Sequence, residues 1–144
     1  MRGLKLYLEA KNIHDDNCKR GFYDDIHEMA ETTEDPDIYD KIESMFINQQ
    51  ILLTITELSE AVEYMRKHGV DLTLDPFTEL KLLEGEEKAK VFKEKFKDTF
   101  QDEIADTLIR LFDLVGYLDI RIDDWIKAKL EYNRQRPYKH GKKY

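Results

Sequence analysis

Two pairs of acids sit inside apolar, helix-compatible segments. They are Glu57 and Glu60 in "ITELSEAVEYM", and Glu103 and Asp106 in "DEIADTLIRLF". Spacing of i, i+3 brings two side chains to one face of a helix, so each pair could reach a single ion. The local pattern is an echo, Glu57-Leu58-Ser59-Glu60-Ala61-Val62 against Glu103-Ile104-Ala105-Asp106-Thr107-Leu108, and a single echo is no solenoid. Four carboxylates meeting between antiparallel helices would form a hard, oxygen-rich site suited to Mg²⁺, with Mn²⁺ as a substitute. Surface or structural ion pairing is the competing reading, because E-x-x-E is common in helices. Spacing alone leaves both open.

The neighbours sharpen the question. At roughly 100° per residue, Ile51, Ile55, Leu58, Val62 and Met65 form one apolar stripe, and Ile104, Leu108, Leu111, Val115 and Leu118 form its counterpart. The acids lie off the edge of these stripes. Their own face carries Phe46, Gln50, Leu53 and Tyr64 on one segment, and Phe96, Thr99, Arg110, Asp113 and Tyr117 on the other. Aromatics and a leucine among acids predict a face covered by another helix or subunit. Carboxylates so covered repel one another and lose hydration unless a cation or hydrogen bonds compensate.

A Mg²⁺ ion usually takes phosphate oxygens among its ligands. The C-terminal "KAKLEYNRQRPYKHGKKY" places Lys129, Asn133 and Arg136 at i, i+4 and i+7, two cations flanking an amide on one helix face. Arg136 could grip phosphate bidentately, with Lys129 as a point charge. An ordinary charged terminus is the alternative.

These residues require long helices to position them. The spacing predicts a helix over 2–18, then a loop at "KRGFYDD". Asp35-Pro36 reads as an N-cap followed by an N1 proline, opening a helix to His68 with Gly69 as its stop. Residues 69–85 read as a connector with one helical turn. A second long helix is predicted from Glu86 to Leu118, and a last one capped by Asp123-Asp124, running to Gln135 and ended by Pro137. No strand alternation is sustained. The expectation is an all-α antiparallel bundle of four to five helices in one domain, 1–144, that dimerises to complete its core and site. Residues 69–97 are an insertion, and 127–144 a basic helix and tail.

Composition is consistent with this. A chain of 144 residues can bury a core without staples. The single cysteine, Cys18, excludes an internal disulfide and suits a reducing cytoplasm. No apolar run is long enough to span a membrane, and "MRGLKLYLEAK" lacks a signal-peptide core. Net charge is −8, yet residues 127–144 carry seven Lys/Arg against one Glu. An acidic body argues against nucleic-acid binding. The histidines His14, His27, His68 and His140 show no metal-ligand spacing and read as surface residues, and Trp125 reads as a packing anchor.

"LLTITELSEAVEYMRKH" followed by "FQDEIADTLIRLFDLVGYL" resembles the MazG-like all-α nucleoside triphosphate pyrophosphohydrolases, whose signature is E-x-x-E on one helix and E-x-x-D on the next. The tail "KLEYNRQRPYKHGKKY" is similar to their dCTP pyrophosphatase branch, and "KRGFYDD" to the loop before their first acid helix. The resemblance implies Mg²⁺ held by Glu57, Glu60, Glu103 and Asp106. It implies hydrolysis of a (deoxy)nucleoside triphosphate to the monophosphate and pyrophosphate by a cytoplasmic homodimer or dimer of dimers. Lys129, Asn133 and Arg136 would hold phosphate or sugar, Phe22, Tyr23 and Phe46 would pack on the base, and Glu60 would be the general base. Thr56 stands where the family often has an additional glutamate. A phosphoribosyl-ATP pyrophosphohydrolase and a non-catalytic helical module binding nucleotides or partners are the alternatives.

Overall fold

The computed structural model describes residues 5–137. Among them are seven helices and no strand, so the protein is all-α. The helices are α1 (Leu6–Lys19), α2 (Asp24–Thr32), α3 (Pro36–His68), α4 (Pro76–Leu80), α5 (Gly85–Lys95), α6 (Phe100–Tyr117) and α7 (Ile122–Arg134). None is long and apolar enough to cross a membrane. The chain divides into two compact units, Met1–Thr32 with Phe112–Tyr144, and Thr33–Leu111.

The first unit holds α1, α2, the last turns of α6, and α7. Asp123, expected to cap its own helix, accepts instead from the backbone N–H groups of Leu6 (3.2 Å) and Tyr7 (2.9 Å), satisfying orphan donors at the start of α1. Gly116 is where α1 meets α6: a Cβ there would lie 2.6 Å from the His14 Cβ and closer still to the Ala10 carbonyl oxygen. Buried Asp113 accepts from Asn17 Nδ2 (2.7 Å) and pairs with His14 Nδ1 at 3.0 Å. The edge of His14 packs on Tyr23, centroids 4.5 Å apart. The expectation of a surface histidine therefore fails at His14, because its ring has a carboxylate and an aromatic face to satisfy it. Trp125 also departs from expectation, being largely exposed rather than anchored in a core. His140 lies outside the described residues.

The second unit holds α3, α4, α5 and most of α6. Helix α3 begins and ends where expected: Asp35 accepts from the Asp37 N–H at 2.9 Å, and Gly69 takes φ +75°, a left-handed stop. The helix expected over 86–118 is two helices. Asp98 adopts φ +60°, and Thr99 Oγ1 accepts from the Asp102 N–H at 3.4 Å while Asp102 Oδ2 accepts from the Asp98 N–H at 2.8 Å. These bonds start α6 afresh.

On the acid-bearing helices the acid face is partly covered, as expected, but the apolar stripe beside it is not. The stripe Ile51, Ile55, Leu58, Val62 and Met65 faces outward, with Ile55 52 % exposed, and so do Leu108 and Leu111. On the acid side Glu103 is buried together with Thr54, Ala61, Phe96, Thr99 and Thr107, while Glu60 and Asp106 stay exposed. Each buried threonine returns its hydroxyl to nearby backbone: Thr54 to Gln50 O and Thr107 to Glu103 O within their helices, and Thr99 to Phe96 O in the turn before α6, at 2.7–2.9 Å. The local bonds remove the cost of burying those hydroxyls.

Candidate metal centre

In the second unit three of the four predicted acids converge from α3 and α6. Glu57, Glu103 and Asp106 each offer a carboxylate oxygen, and these oxygens lie within 4.8 Å of one another. Glu103 is 5 % exposed, Glu57 half-buried and Asp106 exposed. The group is therefore open on its Asp106 side. Glu60 is exposed and stands outside this triple, yet its charge is the largest single influence on Glu103 after burial. A second acidic triple, Asp98, Asp102 and Glu103, shares Glu103 with the first.

The electrostatics are those of crowded anions. Burial first, then the charges of Glu60, Glu57, Asp102 and Asp106, push the Glu103 carboxyl up to about 7. Burial, then Asp102 and Glu57, also raise Asp106, opposed by Arg110 and Lys97. A shift upward from both desolvation and like charge marks a site that favours a cation or a proton.

Arg110 is the residue to which the sequence assigned no role. It lies four residues beyond Asp106 and seven beyond Glu103, on the same helix face. Its Nε donates to Glu57 Oε1 at 2.5 Å and so links α6 to α3. The i, i+3, i+7 spacing of Glu103, Asp106 and Arg110 was the available signal.

The other expected site residues belong to the first unit. Lys129 and Asn133 lie on α7, with Arg136 just beyond its end. Lys129 Nζ sits 4.9 Å, and Arg136 Cζ 5.9 Å, from the centroid of the Tyr132 ring, so one aromatic gathers both cations. Phe22 is 67 % exposed. Tyr23 is fully buried, its ring stacked on Tyr117 at 5.3 Å and met by the edge of His14, so it presents no face to a base. Phe46 is half-buried on α3.

The donor set suits a hard divalent ion. Carboxylate oxygens on two helices are the ligands Mg²⁺ and Mn²⁺ accept, and nothing in the triple favours a softer metal. No family model, curated protein or solved structure matches the chain.

Proposed function

We propose that this protein is a Mg²⁺-dependent nucleoside triphosphate pyrophosphohydrolase of the MazG-like kind, releasing the monophosphate and pyrophosphate. The observation that carries the proposal is the convergence of Glu57, Glu103 and Asp106 from two helices, their oxygens within 4.8 Å of one another. Structural ion pairing accounts for this less well. Among the described residues Arg110 pairs with Glu57 alone, while burial first and then neighbouring acids raise Glu103 and Asp106.

In this reading Glu57, Glu103 and Asp106 would hold the ion, which would supply charge neutralisation for the triphosphate and an acidified water. Glu60 lies outside the triple and is exposed, which suits a carboxylate that accepts the proton of the attacking water. In the first unit Lys129 and Arg136, held on the Tyr132 ring, are cations of the kind that take phosphate oxygens, and Asn133 follows Lys129 one turn on. Phe22 is exposed and offers its face to the base.

The active form is a homodimer or a dimer of dimers, and the outward stripes on α3 and α6 support this. Ile55, Leu58, Val62 and Leu108 are each 44 % or more exposed in the single chain. Contiguous apolar surface of this kind marks an interface, and a second copy would complete an antiparallel bundle around it.

The test is Glu57→Gln and Asp106→Asn beside the wild type. We expect Mg²⁺-dependent release of monophosphate and pyrophosphate from the wild type, and a loss of at least about 100-fold in each variant with the helical circular dichroism retained. Full activity in either variant would reject the site. No turnover of any nucleotide by folded wild-type protein would favour a binding module instead.

A further inference from the structure

The strongest feature beyond the expected quartet is a cation bonded to one of its acids. Arg110 reaches across from α6 to Glu57 on α3, Nε to Oε1 at 2.5 Å, with side chains 37 % and 12 % exposed. Glu57 is also one of the three acids whose oxygens converge. The same carboxylate therefore serves the guanidinium in this structure and would serve an ion in the loaded site. We infer that Arg110 is an exchangeable counter-ion, holding Glu57 while the site is without a metal and turning to the polyphosphate once a divalent ion engages that carboxylate. The inference rests on the metal-binding reading above.

Three physical points carry it. Like-charged carboxylates a few ångströms apart need a compensating cation. Within the triple Arg110 meets that need only in part, with one charge and a bond to one acid. A divalent ion meets it better. Second, the bond uses one of the five guanidinium N–H donors, and among the described residues no other side chain accepts from Arg110. A single-bond grip wastes a fork whose geometry matches two oxygens of one phosphate. Third, Arg110 is the more exposed partner and lies on the face that carries Glu103 and Asp106. It can leave Glu57 without crossing a packed core and remain beside the ligands.

A fixed positioning role predicts the opposite behaviour. If Arg110 only orients Glu57, removing it loosens a ligand and weakens the metal. If it competes for Glu57, removing it strengthens metal binding. The experiment compares wild type, Arg110→Gln and Arg110→Lys by calorimetry, first with Mn²⁺ alone and then with the Mn²⁺ complex of inorganic tripolyphosphate. For Arg110→Gln we expect Mn²⁺ alone to bind about 5- to 10-fold more tightly and the tripolyphosphate complex about 10-fold more weakly, the loss of a charged grip. Arg110→Lys keeps the charge and loses the fork, so Mn²⁺ affinity stays near wild type while tripolyphosphate affinity falls about threefold.

Unchanged or weaker Mn²⁺ binding by Arg110→Gln would overturn the exchange. Unchanged tripolyphosphate binding by both variants would overturn the phosphate role. If Arg110→Gln does not fold, the Lys variant decides alone: a threefold tripolyphosphate loss supports the inference and none rejects it. A wild type that binds no Mn²⁺ would fail the metal reading itself, which separates the two failures.

Discussion

Replacing Glu103 by Gln should stabilise the protein in the absence of metal, and only where the carboxylate would be ionised. Glu103 is 5 % exposed, and burial and four neighbouring acids push its carboxyl from the ordinary 4.5 to about 7. The unfolded chain has no such environment. Between those two values the folded state keeps a proton that the unfolded state has released. Folded stability therefore declines as pH rises from 4.5 to 7, and stays reduced above it. Each tenfold change in the proton equilibrium is worth about 1.4 kcal/mol, so full ionisation costs on the order of 3 kcal/mol. Gln removes that penalty. In EDTA at pH 8, Glu103→Gln should exceed wild type by up to about 3 kcal/mol, or about 6–10 °C in Tm. At pH 4.5 the gap should close to a small constant. The assay is thermal and urea unfolding of both proteins in EDTA at pH 4.5, 6, 7 and 8. A gap independent of pH, or one favouring wild type increasingly as pH rises, would refute the electrostatic argument. Saturating Mg²⁺ at pH 8 should shrink or reverse the gap, because a ligand at 100 times its Kd adds about 2.7 kcal/mol to a protein that binds it, and the variant has lost a donor.

Two further outcomes concern packing. Gly116→Ala drives a Cβ into the Ala10 carbonyl and the His14 Cβ, and should cost about 1–3 kcal/mol in urea unfolding; a neutral result would show that α1 can shift away from α6. Leu58→Glu places a charge in the outward stripe of α3, and light scattering should report a single 17.2 kDa chain for it against twice or four times that mass for wild type; a monomeric wild type would remove the partner subunit from the account.

The sequence read best where one residue dictates the backbone. Asp35-Pro36 and Gly69 fixed both ends of α3 because a side-chain cap, a ring-locked φ and a left-handed stop leave little choice. The break before α6 was legible too, since Thr99-x-x-Asp102 is a cap pattern, but Phe92, Phe96 and Phe100 carry an i, i+4, i+8 helical spacing straight across it. Helix α2 was missed because only Ile26 and Met29 mark its apolar side. The acids were found by spacing. That the apolar stripe beside them faces outward was not legible, because apolar periodicity finds a stripe without saying whether its own chain or a partner covers it. Arg110 needed tertiary structure: an arginine among acids reads as a solvated face until the opposite helix places Glu57 against it.

The central claim is attack at the α-phosphorus by a water activated in the acid site. Its most direct test is turnover of a panel of NTPs and dNTPs in ¹⁸O-water with Mg²⁺, and again with EDTA, reading products and label by mass spectrometry. The account predicts Mg²⁺-dependent monophosphate carrying one ¹⁸O, unlabelled pyrophosphate, and neither product in EDTA. Label in pyrophosphate, or diphosphate and orthophosphate as products, would contradict it.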